Sequence, residues 1–234
     1  QVQGTSFSTP LVSGLLALIR QYFTDMMHVT PSGMLMKAIL INSCEQMTGY
    51  VYPDSGIVSL SQQSLPNAYI GHGLPSLNES GLKLPISSPD FVFGFADYIC
   101  IQTDEIYTFK FLKTNSTSRA FFRVTMTWYE PAGPMITFDN SYLDHYNVTL
   151  RVPLVYNNLD LKVKIGNTIY YGNGVDGGDP LNTLEKISIN DIDIGTLVTI
   201  TVIGKKVINP TVLQFAISMK GFGFGSLPLF SDHT

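Results

Sequence analysis

The sequence has few charged residues and few cysteines, and both facts limit the classes of protein to which it can belong. Only 14% of its 234 residues are charged, against 44% that are hydrophobic, so the chain can bury a sizeable core. The net charge is -4 and no basic stripe is present, which argues against a nucleic-acid partner. The two cysteines, Cys44 and Cys100, are compatible with a disulfide or with two free thiols.

Long apolar runs are also missing. The longest run, residues 11–19, is interrupted by Ser13 and Gly14 and is shorter than the roughly 20 residues of a membrane-spanning helix. No basic start followed by an apolar stretch and a small-residue cleavage site is visible, so we identify neither a membrane segment nor a signal peptide. Because the chain opens on Gln1 and reaches a motif at once, we expect a fragment of a longer protein.

Two helices are predicted in the first fifty residues. Residues 7–23 are small or apolar on every face, which is typical of a helix buried on all sides, and Pro10 fits only near its start. A second helix is predicted to begin with Thr30 as N-cap and Pro31 in the first helical position. We expect it to end near Gly49, before a loop-rich stretch.

From Phe91 the hydrophobic period changes from about 3.6 residues to 2. Apolar and polar residues then alternate over 107–111, 122–128, 159–165, 198–202 and 213–219. Strict alternation predicts strands with one buried face, and several such strands between turns predict an antiparallel sandwich or jelly roll. We therefore predict two domains, residues 1–88 and residues 91–225, with a boundary near 85–91.

One motif directly before the first predicted helix has the features of a nucleophile. It reads Gly4-Thr5-Ser6-Phe7-Ser8-Thr9-Pro10. A serine at a helix N-terminus faces unpaired N–H groups and the positive end of the helix dipole, which stabilise negative charge developing beside it. Gly4 permits a sharp turn and a close approach of other backbone. We interpret Ser6 as the nucleophile, and Ser8 and Ser13 as packing residues.

This motif resembles the signature around the nucleophile of the subtilisin-like serine proteases, Gly-Thr-Ser-x-(Ala/Ser)-x-Pro. Val12 and Gly14 match its usual continuation, while Phe7 and Leu11 depart from it at positions that do no chemistry. Two further segments follow in the order of the family, its next helix and the Gly-x-Gly segment that closes the catalytic domain. They are Lys37-Ala38-Ile39-Leu40-Ile41-Asn42-Ser43 and Gly71-His72-Gly73-Leu74-Pro75-Ser76-Leu77.

The later strands resemble the jelly-roll C-terminal domain of some alkaline subtilases. The similar pieces are Thr127-Trp128-Tyr129-Glu130-Pro131, Asn157-Asn158-Leu159-Asp160-Leu161, Tyr171-Gly172-Asn173, Asn182-Thr183-Leu184-Glu185 and Gly195-Thr196-Leu197-Val198. The resemblance implies a fold in two parts. Residues 1–88 would be the C-terminal part of an α/β catalytic domain, followed by an all-β antiparallel sandwich or jelly roll.

The resemblance also implies a secreted or endomembrane serine endopeptidase that cleaves protein or peptide substrates through Ser6. In this family a His takes the serine proton, an Asp orients that His, and an Asn with the serine N–H holds the oxyanion. The chain order is Asp, His, Ser, so we expect these partners upstream of Gln1 and expect this chain alone to be inactive. Its own histidines match no catalytic position of the family: His28, His72, His145 and His233.

No cofactor is needed for this chemistry, but a structural calcium ion is a further hypothesis. Asp160, Asp176 and Asp179 offer oxygen ligands, and Glu185 and three asparagines offer more. Turn chemistry explains the same residue types, and we favour it for most of them. The asparagines are Asn157, Asn158 and Asn182. Candidate glycosylation sites, for a secreted protein, are the Asn-x-Ser/Thr triplets at Asn78, Asn115 and Asn147.

Two alternative functions stay open at this point. One is a catalytically inactive pseudoprotease or binding module that holds a partner or a glycan through its β domain. The other is a protease domain fused to another unit, such as a transporter, in a longer chain. The Asp and His motifs expected upstream of Gln1 discriminate between an active protease and a pseudoprotease.

Overall fold

The computed structural model describes residues 4–52, 56–62, 65–78, 82, 91–113, 121–131, 155–208, 212–222, 224 and 232–233. Within these ranges the chain forms two helices, α1 (Thr5–Met26) and α2 (Gly33–Asn42). Neither helix combines the length and the apolar character that crossing a membrane requires. The remaining regular structure is almost entirely β.

The strands of the described ranges form a short hairpin and two larger sheets. They are β1 (Tyr50–Val51), β2 (Val58–Ser59), β3 (Phe91–Ile101), β4 (Ile106–Leu112), β5 (Phe121–Trp128), β6 (Asn158–Ile165), β7 (Thr168–Tyr171), β8 (Leu184–Asn190), β9 (Leu197–Lys206), β10 (Leu213–Phe222) and β11 (Asp232–His233). Sheet 1 has the order β3-β10-β5-β8, and sheet 2 has the order β11-β4-β9-β6-β7. Every strand pair among them is antiparallel.

One hydrophobic core is shared by the two sheets. Sheet 1 contributes Trp128 and Phe215, and sheet 2 contributes Tyr107 and Leu159. The rings of Tyr107 and Phe215 meet edge to face, with centroids 5.7 Å apart. The alternating apolar residues of β4, β5, β6, β9 and β10 face this core, which confirms the predicted antiparallel β structure. The α/β arrangement predicted for residues 1–88 stays a prediction, because the described ranges contain no parallel strand pair.

The outer face of sheet 1 is covered by the two helices. Leu35 and Ile39 of α2 are fully buried, together with Ile19 and Phe23 of α1. The Phe23 ring lies 5.0 Å, centroid to centroid, from the ring of Phe95 on β3. A second apolar cluster therefore attaches the helices to the sheet, on the side opposite to the main core.

Buried polar contacts also hold α2 on sheet 1. The Thr127 hydroxyl donates to the Met34 carbonyl at 2.8 Å. The Asn42 side chain accepts from the Thr125 hydroxyl at 3.1 Å and donates to the Ser218 carbonyl at 3.3 Å. Since a buried polar group without a partner costs roughly 1–3 kcal/mol, these contacts fix how the helix lies on the strands.

The first helix is not buried on all sides as its composition predicts. Only Ile19 and Phe23 of α1 are buried, whereas Phe7, Leu11 and Leu18 are 54%, 73% and 51% exposed. The physical reason is that α2 and β3 cover only the C-terminal half of α1.

The start and the end of α2 also differ from the prediction. Its N-cap is Ser32 rather than Thr30: the Ser32 hydroxyl accepts the Leu35 N–H at 2.9 Å, and the Asp97 carboxylate accepts both the N–H and the hydroxyl of Ser32. These hydrogen bonds to Asp97 on β3 outweigh the local preference for Thr30 as the N-cap. The helix ends at Asn42, well before Gly49.

Replacing Asn42 by alanine tests the polar docking of α2. We expect Asn42→Ala to lower the free energy of unfolding by about 1–3 kcal/mol, because the Thr125 hydroxyl and the Ser218 carbonyl then lose their buried partner. The measurement is chemical denaturation, with Asn167→Ala in the exposed turn between β6 and β7 as matched control. A loss equal to that of the control, within about 0.5 kcal/mol, would contradict the proposed role of Asn42.

Candidate active site

Ser6 lies exposed in the first turn of α1, directly after the residue at which the helix begins. The N-cap residue is Gly4, whose φ of 150° favours glycine. No described atom lies within 4 Å of the place where a Gly4 side chain would stand, so this glycine serves the turn and not a close contact. The first N–H groups of a helix have no partner inside it, and the Ser6 N–H is one of these.

Pro10 is the sixth residue of α1, beyond the first turn in which it was predicted, because the helix begins at Thr5 rather than at residue 7; the helix continues through it. The residue that would normally donate to the Ser6 carbonyl is Pro10, which has no N–H. The Thr9 hydroxyl bonds the Thr5 carbonyl at 2.9 Å, and the Ser13 hydroxyl bonds the Thr9 carbonyl at 3.0 Å. Ser8 and Ser13 are both exposed, so their predicted packing role is not seen in the described ranges.

No histidine is placed to activate Ser6 within the described residues. His72 has a buried Nδ1 without a hydrogen-bond partner, and burial, with smaller effects of Lys186 and Lys37, lowers its pKa to about 4. His28 is exposed with a φ of 55°, and no hydrogen bond joins either ring to Ser6. His145 lies outside the described residues, and only the backbone of His233 is described, in β11.

The turn around Gly71 and Gly73 joins the C-terminal end of α2. Glu45 and Leu74 exchange two backbone hydrogen bonds, of 2.9 and 3.0 Å. Gly73 has a φ of 100°, and a side chain there would collide with the Glu45 carbonyl. Both the conformation and the close approach therefore require glycine at this position of the segment.

The predicted calcium ligands divide into two groups. Asp160 and Glu185 are fully buried, and neither oxygen of Asp160 nor Oε1 of Glu185 has a hydrogen-bond partner. Side chains at Gly178 and Gly172 would collide with these two carboxylates. The closest cation to Asp160 is Lys205 Nζ, 3.9 Å from Oδ2.

Burial of these carboxyl groups favours their neutral forms. It raises the pKa of Glu185 to about 8, and the Asp160 and Asp179 carboxylates add to the increase, although the Leu161 N–H opposes it with a 2.7 Å bond to Oε2. Burial likewise raises the pKa of Asp160, against the attraction of Lys205 and Lys162.

The other predicted ligands are engaged elsewhere or exposed. Asp179 accepts from the side chains of Asn173 and Asn182 and from the Leu181 N–H. Burial alone raises the pKa of Asp179, but these bonds outweigh it and lower the pKa. Asp176 is exposed. In the part of the chain that the structure describes, no three His, Cys, Asp or Glu side chains are grouped to hold a metal ion.

The asparagine side chains near the acidic group have different roles. Asn157 donates to Glu130 and accepts from the Ile208 N–H at 2.9 Å, so it is not a free oxygen ligand. The Asn158 side-chain oxygen is buried without a partner. Asn78, a candidate glycosylation site, is exposed, whereas Asn115 and Asn147 lie outside the described residues. The secreted or endomembrane location stays a prediction.

A group of cations around Cys44 was not predicted from the sequence. Both cysteines are free thiols, Cys44 buried and Cys100 exposed. The Cys44 carbonyl accepts from Lys186 Nζ at 3.3 Å and from Arg123 Nη1 at 3.5 Å. The alternation in β5 marks Arg123 as facing away from the main core, but only the pairing of β5 with β8 brings Lys186 beside it.

Comparison with known protein families matches the segment that contains Ser6, α2 and Gly73. Residues 1–73 of the chain match the model of the subtilase family. The segment that holds Ser6, α2 and Gly73 is therefore similar to a part of a subtilisin-like serine peptidase, and the resemblance inferred from the motifs is confirmed at this level. No curated protein matches the chain.

The raised pKa of Glu185 predicts how stability depends on pH. In the folded chain its carboxyl group, with a pKa of about 8, keeps its proton up to that pH, whereas the unfolded chain loses it near the ordinary glutamate pKa of 4.5. The folded state therefore binds more protons over this window, and stability falls as the pH rises through it. Between pH 6.5 and 8 the fall is about 1–2 kcal/mol, above the range in which His72 titrates.

Glu185→Gln should remove this fall, because a neutral amide replaces the buried carboxyl group. The measurement is urea denaturation at pH 6.5 and pH 8 in the presence of a chelator, so that no cation neutralises the site. Glu45→Gln, outside the acidic group, is the control and should keep the wild-type dependence. An unchanged pH dependence in Glu185→Gln would show that this carboxyl is ionised throughout.

Proposed function

We propose that the chain is part of a serine endopeptidase and that Ser6 is its nucleophile. The observation that carries the proposal is the position of Ser6, exposed in the first turn of α1 and inside the segment that matches the subtilase family. The family implies a protein or peptide substrate. The reaction is acyl transfer to water.

In this proposal Ser6 Oγ attacks the substrate carbonyl carbon and an ester bond to the serine replaces the peptide bond, whose nitrogen leaves as an amine with the proton that the serine lost. The Ser6 N–H, unpaired at the helix N-terminus, donates to the oxygen that becomes negative, and the helix dipole favours that charge. The histidine that takes the serine proton, the aspartate that orients it and the oxyanion asparagine are supplied by sequence upstream of Gln1. Water then cleaves the ester.

The exposed half of α1 supports a proposed α/β catalytic domain of which residues 1–88 are the C-terminal part. Phe7 and Leu11 on this half of the helix are more than half exposed, and so is Leu18 in the C-terminal half. Apolar side chains grouped on a surface indicate contact with further protein. The upstream elements that carry the catalytic partners would cover these residues and bring those partners to Ser6.

We also propose that the two large sheets form a jelly roll. The strand orders β3-β10-β5-β8 and β4-β9-β6-β7 place consecutive strands in opposite sheets, except for the hairpin of β6 and β7. Two four-stranded sheets connected in this way correspond to the eight-stranded jelly roll. β11 adds a short strand at the edge beside β4.

Substitution of Ser6 tests the proposed chemistry. In the protein at its natural length, Ser6→Ala should lower peptide hydrolysis by at least about 10³-fold, because the attacking oxygen is lost. Ser8→Ala, on the same exposed turn, is the matched control and should keep wild-type activity. The measurements are cleavage of a fluorogenic peptide library and labelling by a fluorophosphonate, and hydrolysis that persists in Ser6→Ala would refute the assignment.

We further propose that a calcium ion binds beside the buried acidic group and stabilises the β domain. The supporting observation is the set of partnerless oxygens on Asp160 and Glu185, since hard cations prefer carboxylate oxygens. Asp179 lies close enough to raise the Glu185 pKa. Asp176 is exposed and leaves the proposed ligand set, so backbone carbonyls and water would complete the coordination. Calcium takes no part in the chemistry at Ser6.

Thermal unfolding with and without calcium tests this ion site. At a calcium concentration of about 100 times Kd, binding to the folded state should raise Tm by roughly 5–10 °C. Asp160→Asn should abolish the increase, while Asp191→Asn, in an exposed turn, should keep it. A melting temperature that neither calcium nor a chelator changes would exclude the ion.

A further inference from the structure

A cleft of about 570 Å³ lies beside the C-terminal end of α2, on the outer face of sheet 1. Arg123 of β5 and Lys186 and Ser188 of β8 line it. Arg123 lies directly opposite Ser188, and Thr125 lies opposite Lys186. Because residues paired across antiparallel strands share a face, the two cations and the hydroxyl are neighbours on one surface.

No carboxylate lines this cleft among the residues that the structure describes. Within the described ranges neither Arg123 nor Lys186 forms an ion pair. Their polar contacts are backbone carbonyls: Lys186 Nζ donates to Ile41 at 2.8 Å and to Cys44 at 3.3 Å, and Arg123 donates to Cys44. These carbonyls belong to the C-terminal end of α2, whose dipole offsets only about half a charge.

A third cation, buried and outside the cleft lining, lies beside Arg123 on the sheet. Lys220 on β10 lies directly opposite Arg123, an arrangement of like charges that destabilises a sheet. Burial lowers the pKa of Lys186 to about 8; Cys44 opposes the decrease, whereas Arg123 and Lys220 add to it. Arg123 and Lys186 therefore lie close enough for each charge to disfavour the other, and an anion bound between them would relieve this repulsion.

The walls of the cleft fit an organic group attached to that anion. Tyr170, Tyr171 and Pro66 contribute ring surfaces, and Asn190 adds an amide beside Ser188. Ser188 and Asn190 are both exposed. Clefts of this size hold small molecules when an apolar wall is combined with a few placed polar groups.

We propose that this cleft binds a phosphate monoester, with Arg123 and Lys186 holding the phosphate and the tyrosines contacting its organic part. The planar guanidinium presents paired N–H donors that match phosphate oxygens, and the ammonium adds a point charge. A monoester carries nearly two negative charges at neutral pH, which matches two cations better than a monoanion does.

Calorimetric titration with phenyl phosphate tests the site in the protein at its natural length. We expect saturable binding of phenyl phosphate. Phenyl sulfate, a monoanion of similar shape, should bind several-fold more weakly. Arg123→Gln should weaken phenyl phosphate binding by about tenfold or more, the effect of one charge-assisted hydrogen bond. Lys164→Gln, an exposed lysine of sheet 2 with the same change of charge, should alter it less than about twofold.

A second variant keeps the test independent of any effect of Arg123 on folding. Ser188→Asp adds a negative charge opposite Arg123 at an exposed position, and it should suppress binding while leaving the melting temperature near that of the wild type. Absence of saturable binding, equal affinity for phenyl sulfate, or wild-type binding in Arg123→Gln and Ser188→Asp would overturn the proposal.

Discussion

The outer face of sheet 1 is polar where α2 covers it, and this constrains the rest of the structure. Thr125, Thr127 and Ser218 are fully buried there, so their hydroxyl and carbonyl groups need partners within the protein. Asn42 and the Met34 carbonyl supply them. An apolar interface tolerates small shifts of a helix, but directional bonds at both ends of α2 leave one position on the strands.

That position of α2 determines the surroundings of its C-terminal end. The Ile41 and Cys44 carbonyls come to lie where Lys186 and Arg123 reach them, and cations are favourable at a helix C-terminus. The chain then pairs Glu45 with Leu74, which carries the Gly73 turn against the same end of the helix. The positions of the cationic cleft and of the glycine turn thus both follow from the way α2 packs on sheet 1.

Helix α1 is held differently, and this explains the situation of Ser6. Its C-terminal half is fixed by Ile19 and Phe23, which pack on α2 and β3, while its N-terminal half extends away from the described elements with Ser6 at its end. The helix itself orients the serine and its N–H group. The histidine and aspartate that would activate the serine, in contrast, do not take part in the contacts that hold α1 on α2 and β3.

Local patterns account for much of this structure. Alternation placed β4, β5, β6, β9 and β10 with their apolar faces inward, and the glycine and proline around Ser6 marked the start of α1, because both signals act within a few residues. Alternation states which face is buried but not which strand lies beside it. Lys186 and Ile41, which are hydrogen-bonded, are 145 residues apart in the sequence. Ser32, and not Thr30, is the N-cap of α2 because it is hydrogen-bonded to Asp97, 65 residues away. Burial of Asp160 and Glu185 beside Gly178 and Gly172 likewise depends on distant backbone. Such long-range contacts exist only after the sheets pair and the helices dock, and so the tertiary structure decided them.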